Sequence, residues 1–286
     1  MTALTFGSLF TGVRGLDLAV ERVTGAQPAW FCETEPGPAE ILATEAPSVP
    51  NLGDVTKVDW PALPAVDILC GGFPCQDISN AGNRAGIQKG TRSGLWHSYA
   101  AAIEHLRPSY VFVENSASIR NRNRGLDVVL RSLADLGYDA RWGCLRASDV
   151  GAPHQRNRFW LIATDAHRGH LPQLDVGTPS GFQAPQWDDA LGRRLDHGWT
   201  GTRYEAHLAF WAKIIGRPPP LAYNEEGRLR PELSEWMMGY REGWVTDHLS
   251  RIPAHKAVGN GVCPQQAVAA YTMLLSRIRQ ETKTAA

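Results

Sequence analysis

The chain has 286 residues, 43% of them hydrophobic, which is enough for one large domain with an insertion or for two modest ones. No apolar run approaches the roughly 18 residues of a membrane span. The N-terminus MTALTFGSLF has neither a basic region before its apolar residues nor a small-residue cleavage site, so a cytoplasmic protein with no membrane partner is expected. Twenty-nine basic residues balance twenty-nine acidic ones, and bulk charge therefore does not point to a polyanionic partner. Distribution does: residues 76–125 carry seven basic side chains against three acidic, a segment able to hold phosphates. The five cysteines (Cys32, Cys70, Cys75, Cys144 and Cys263) have no C-x-x-C or Cys/His ligand spacing, so reduced thiols are expected and no metal site is.

In chain order, short apolar runs alternate with helical patterns: LTFGSLF then GLDLAVERV, AWFCE then AEILATEA, VDILCGG then GLWHSYAAAIEHL, SYVFVEN then LDVVLRSLADLG, and RFWLIAT to close. The alternation predicts an α/β domain with a doubly wound, mostly parallel sheet. From about Asp165 the texture turns to Gly, Pro, Trp and Gln, as in TPSGFQAPQWDD and GRPPPLAYNEEG, and reads as a small inserted module. Order returns in PELSEWMMGYREGWV, and QAVAAYTMLLSRIRQ predicts an amphipathic helix packing back on the sheet. The expected boundaries are 1–165, 166–232 and 233–286.

In such sheets a ligand sits beyond the carboxyl ends of the strands. Four polar segments fall there. FTGVRG places Gly12 and Gly15 on a turn into a helix, suited to close approach of an anionic ligand. Glu33 ends the next strand and suits ribose hydroxyls, or else starts a helix with Glu35 and Pro36. Asp54 either accepts from an adenine amine or ends a strand. Cys75, after Pro74 in GGFPCQ, precedes a glycine-rich basic loop that favours the thiolate, and its spacing leaves nucleophile and structural thiol both open. Cys70 lies in the apolar run and reads as a core residue. Glu114 and Asn115 end the SYVFVEN strand; partial desolvation raises a carboxyl there and makes it a proton donor at neutral pH, whereas a helix-capping pair is the alternative. Arg156 and Arg158, two apart at a strand start, share one side and can bind an oxyanion, a phosphate or Glu114.

With LFTGVRGLDLA, CETEP, GDV, GGFPCQDIS, RSGLW, VENSASI, HQRNR, a variable region, EWMMGYREGW and GNGVCPQ in this order, the chain resembles the DNA (cytosine-5)-methyltransferases, most of all the compact phage and bacterial members. The resemblance covers nearly the whole chain. It implies a Rossmann-like S-adenosylmethionine-dependent fold with a target-recognition module at 166–232. It also implies S-adenosyl-L-methionine as cofactor, held by Phe10, Gly12 and Gly15, with Glu33 on the ribose, Asp54 near the adenine, Leu95 and Trp96 along the adenosine, and Asn260 at the methionine end. Cys75 becomes the nucleophile, Glu114 grips cytosine N3 and the amino group, and Arg158 contacts the base carbonyl. Arg156 joins this set and, with Gln76, supports the loop and the DNA backbone; Pro74 and Asn115 complete the substrate side.

Double-stranded DNA is the implied partner, for a monomer that can belong to a restriction-modification system with a cognate endonuclease. The tRNA-directed branch of the family shares the constellation, and a non-catalytic nucleic-acid binder is the reading from another class. Two departures stand out: Arg14 replaces a glycine of the first turn, where it either crowds the cofactor loop or points outward, and His154 replaces the first glutamine of Q-x-R-x-R.

Overall fold

The computed structural model describes residues 3–74, 93–168, 174, 199 and 201–285. Six strands form one sheet: β1 (Thr5–Leu9), β2 (Gln27–Cys32), β3 (Ile68–Gly71), β4 (Tyr110–Ser116), β5 (Tyr138–Arg146) and β6 (Asn157–Asp165), in spatial order β2-β1-β3-β4-β6-β5. The first four are mutually parallel, and β6 runs antiparallel to both β4 and β5. Central strands covered on both faces must be apolar throughout, which is why SYVFVEN and RFWLIAT stand out as strands. The edge strand β5 escapes that logic. Asp139, Arg141 and Arg146 interrupt YDARWGCLR, only Tyr138 in it is buried, and the apolar pattern predicts no strand there.

The described helices are α1 (Gly15–Thr24), α2 (Pro36–Glu45), α3 (Trp96–Leu106), α4 (Leu126–Asp135), α5 (Glu205–Ile215), α6 (Pro231–Met237), α7 (Arg251–Asn260) and α8 (Pro264–Ala285). No described helix is long and apolar enough to cross a membrane. Helices α1 and α8 cover one face of the sheet, and α3 and α4 the other. On the first face Tyr271, Leu274 and Leu275 of α8 are buried against Phe6, Ile68, Phe112 and Trp160. Each such side chain contributes about 1.5–3 kcal/mol through burial, so the amphipathic C-terminal stretch is a structural layer of the sheet.

A third core lies beyond one end of the sheet, where Leu208 and Trp211 of α5 pack with Trp236, Tyr240, Trp244 and Val13. The described part of the expected insertion therefore shares its core with the C-terminal segment. Glu235, 1% exposed, organises that region: its carboxylate accepts from the backbone N–H groups of Gly243, Val245 and Thr246 at 2.8–3.0 Å. Such charge-assisted bonds satisfy a buried carboxylate that would otherwise be costly. Because β2 lies on one side of β1 and β3 on the other, the strand order reverses there, and a crevice opens past their carboxyl ends.

Candidate active site

That crevice is a cleft of about 340 Å³, within the range of small-molecule sites. Its wall brings together Phe10, Gly12, Glu33, Asp54, Pro74, Leu95, Glu114, Asn115, Arg156, Arg158 and Asn260, all named from the sequence. Cys75 and Gln76 lie outside the described residues, as do Gly82, Gly86, Gly90, Arg84, Lys89 and Arg92. Gly15 is absent from the wall. A Cβ at Gly15 would meet the Val262 carbonyl oxygen at 2.1 Å and the Tyr240 hydroxyl at 2.3 Å, so this glycine admits the C-terminal segment against α1 instead of a ligand against the turn.

The turn itself is built from positive-φ residues: Phe10 at 54°, Gly12 at 57° and Arg14 at 66°. A non-glycine residue in the left-handed region costs roughly 1 kcal/mol or more, which gives the physical sense of a glycine at position 14. Arg14 neither crowds the cleft nor points outward. It is 7% exposed, pairs with Glu21 at 2.5 Å and lies over the Phe31 ring. Glu33 braces the turn from the next strand, its Oε2 accepting from the Gly12 N–H at 2.7 Å and its Oε1 from the Glu35 N–H at 2.7 Å. Asn51, which sequence reasoning passed over, holds the Glu33 backbone in both directions at 3.0 Å. An asparagine after Ser-Val-Pro in a loop gives no sequence signal of that pairing.

Asp54 accepts from the Thr56 N–H and hydroxyl at 3.0 and 2.8 Å, and these bonds hold its carboxyl below the ordinary range. Leu95 reaches the cleft, but Trp96 does not: it is fully buried, stacked on Tyr99 and tilted against Phe73, and backs the wall.

At the other end of the cleft the antiparallel pairing of β4 with β6 sets Ser116 opposite Arg158. It brings the Arg158 Nε to 2.9 Å from Glu114 Oε1. Burial raises the Glu114 carboxyl, and the Arg158 and Arg156 charges oppose that rise. Oε2 lies on the side of Gly72, where a Cβ would come within 2.8 Å of it. Gly72 is thus a site residue that the Gly-Gly pair could have flagged: no side chain fits beside Glu114. Asn115, 1% exposed, donates from Nδ2 to the Phe73 carbonyl at 3.0 Å, tying down the backbone that leads to Pro74 and Cys75. It acts through the loop's anchor and does not form a helix cap.

Arg156 differs from the expectation of a strand pair. It precedes β6 with φ 28°, outside strand geometry. Its guanidinium is buried and donates to the carbonyl of Gly259 at 3.1 Å and to that of Gly261. Gln266 Nε2 in turn donates to the Arg156 carbonyl at 2.8 Å. Arg156 therefore clamps the Gly-Asn-Gly turn that presents Asn260 to the cleft. His154 is bonded through Nε2 to the Met237 carbonyl at 3.1 Å. Cys70, fully buried in β3, donates from Sγ to Asp17 Oδ1 at 3.5 Å and packs in the core, as its apolar context predicts.

Residues 4–200 match the family of C-5 cytosine-specific DNA methylases. Among curated proteins, the Type II methyltransferase M.MspI of Moraxella sp is 30% identical over 236 residues, covering 81% of this chain and 54% of that protein. The Type II methyltransferase M.HhaI of Haemophilus parahaemolyticus is 33% identical over 164 residues, 57% of this chain and 49% of that protein. The chain thus spans about half the length of the curated relatives it matches. Among solved structures, the S. pombe Dnmt2 methyltransferase superposes with a TM-score of 0.63 at 15% identity, over 96% of this chain and 99% of that one, a likeness of fold.

Proposed function

The chain belongs to the C-5 cytosine-specific DNA methylase family, and we propose that it transfers a methyl group from S-adenosyl-L-methionine to carbon 5 of a cytosine in a specific duplex DNA site. The observation that carries the reading is the Glu114 carboxylate: one oxygen is held by Arg158, the other borders Gly72, and both lie in the cleft that Pro74 lines just before Cys75. The other end of the same cleft fits the cofactor. The turn at Phe10 and Gly12 is open, with nothing nearer than 4.0 Å to a Cβ on Gly12. Glu33 and Asp54 offer acceptors for hydroxyl and amine groups, and Phe10, Val55, Phe73 and Leu95 offer an apolar wall. When bound, S-adenosylmethionine supplies the electrophilic methyl group that carbon 5 accepts.

Carbon 5 of cytosine is too electron-poor to be methylated unaided, and the chain's residues correct that. The Cys75 thiolate forms a bond to carbon 6, Glu114 delivers its proton to N3, and the displaced π pair leaves an enamine whose carbon 5 is nucleophilic. A carboxyl raised by burial keeps that proton at higher pH than an exposed one. Arg158 fixes the carboxyl's orientation and faces the base carbonyl. After methylation the carbon 5 proton passes to water, the C5–C6 double bond re-forms and Cys75 leaves as thiolate. The chemistry needs the base out of its stack, so the target cytosine is flipped into the cleft. The unit acts as a monomer, residues 166–232 serve target recognition, and a cognate restriction endonuclease is the partner that its relatives' Type II designation points to.

Trapping on duplex DNA with 5-fluorocytosine in the target site tests the assignment, because the fluorine blocks release. The native chain forms a covalent adduct and Cys75→Ser forms none while still binding cofactor; an undiminished adduct in the variant sinks the mechanism. Bisulfite sequencing of DNA from cells expressing the protein reads activity and target site together, and unmethylated DNA beside methylated tRNA would move the substrate to RNA.

A further inference from the structure

The mechanism leaves unused a run of arginines just beyond the cleft, RNRNR at residues 120–124. We propose that Arg120 and Arg122 form a phosphate-binding ridge that holds the duplex DNA backbone flanking the target nucleotide, an inference that rests on duplex DNA as the substrate. The loop begins four residues after Ser116, which lines the cleft, at the carboxyl end of the strand carrying Glu114. It is a fixed platform. Ser116 Oγ accepts from the Ser118 N–H at 3.4 Å, Ile119 is fully buried as an anchor, and the Asn121 and Arg124 N–H groups close turns onto Ser118 and Asn121 at 3.0 and 3.1 Å.

On that platform Arg120, Asn121, Arg122 and Asn123 are exposed. The sequence from Asn115 to Leu126 contains no acid, and Glu114 is already taken by Arg158. Among the described residues no ion pair includes Arg120 or Arg122. A second feature adds to the field. Helix α4 starts directly after the loop, and its N-cap, Gly125 at φ 110°, provides no side chain to its first N–H groups. Uncapped amides and the positive end of a helix favour an anion, with exposed Asp127 in the first turn a partial offset. Arginines give planar, always-charged donors for phosphate oxygens, and asparagines between them add neutral donors. A merely solvated surface mixes signs, as at Arg228 with Glu226; this ridge carries one sign, beside the place where a base must leave the duplex.

Replacing both residues in the full chain (Arg120→Gln with Arg122→Gln) tests the ridge through the salt dependence of binding to duplex DNA. Each lost phosphate contact lowers the slope of log Kobs against log salt by about 0.9. The double variant therefore loses about tenfold less affinity than the native chain between 50 and 200 mM salt, with cofactor affinity unchanged. The lysine pair, Arg120→Lys with Arg122→Lys, retains the native slope. An unchanged slope in the glutamine pair, or a lysine pair as impaired as the glutamine pair, overturns the ridge while leaving the methyltransferase reading intact. A native chain that neither binds nor methylates duplex DNA overturns both.

Discussion

Burial and the nearby Arg156 charge push the His154 imidazole down to about 4, so this side chain stays neutral where a free histidine would protonate. Its bond to the Met237 carbonyl is one that a glutamine amide makes equally well, which accounts for a histidine in the place of the family's glutamine. The sign follows from linkage: the unfolded chain takes up a proton near pH 6.5 and the folded chain does not until about pH 4, so stability is lost as pH falls through that window. His154→Gln is expected to keep activity at pH 8 and to be more stable than the native chain at pH 5 by about 1 kcal/mol in urea unfolding. Equal pH dependence of the two proteins would count against a buried neutral imidazole. Residue types were legible in the sequence wherever chemistry demanded them, as at Glu114, Arg158 and Glu33. Roles set by space were not: Gly15 and Gly72 differ only in whose atoms would strike their absent Cβ, and that depends on segments 247 and 42 residues away.

At the scale of elements, the turn at 259–261 is held from outside itself. Neither Gly259 nor Gly261 has a side chain to brace Asn260, and Arg156 supplies the brace with two N–H donors set by a planar fork. Lysine has no such fork. Arg156→Lys is therefore expected to raise the KM for S-adenosylmethionine about tenfold with kcat at saturating cofactor and DNA affinity little changed. A fall in kcat without a change in KM would place Arg156 against the reacting base. The period-two spacing of Arg156 and Arg158 predicted a shared side, and both do face the cleft. The strand begins only at Asn157, however, and Arg156 reaches the site from a strained turn. Periodicity locates an element; it does not say where the element stops. The same limit hid β5, whose polar edge carries no buried alternation.

Across the whole molecule, the N-terminal turn and the C-terminal segment are one construction. The Trp244 indole donates to the Val13 carbonyl at 2.8 Å, Tyr240 donates to Val262 at 2.6 Å, and α5 shares the core that contains both rings. The described parts of the molecule should unfold in one transition, and cofactor at a hundred times its Kd should move it by about 2.7 kcal/mol, or roughly 5–10 °C for a chain of this size. Calorimetry with and without S-adenosylmethionine checks this; a second transition indifferent to cofactor would separate α5 from the catalytic unit. The doubly wound plan was legible because alternating apolar runs and helical periods are local signals. The union of α5 with Val13 was not, because it joins residues about two hundred positions apart in a stretch without periodicity.

The reversed direction of β6 has one more effect. It starts beside Glu114 and ends at Asp165, which is pinned at the opposite edge of the sheet by Arg107 at 2.8 Å and by its own N–H to the Ser109 carbonyl. Whatever follows Asp165 is thus moored nine strand residues away from the reacting carboxylate. A length change in that stretch pulls first on the Arg107 mooring, and the sheet stands between it and the chemistry. Insertions, deletions or exchanged segments after Asp165 can be tried without retuning the Glu114–Arg158 pair, so the architecture keeps what it reads separable from what it does.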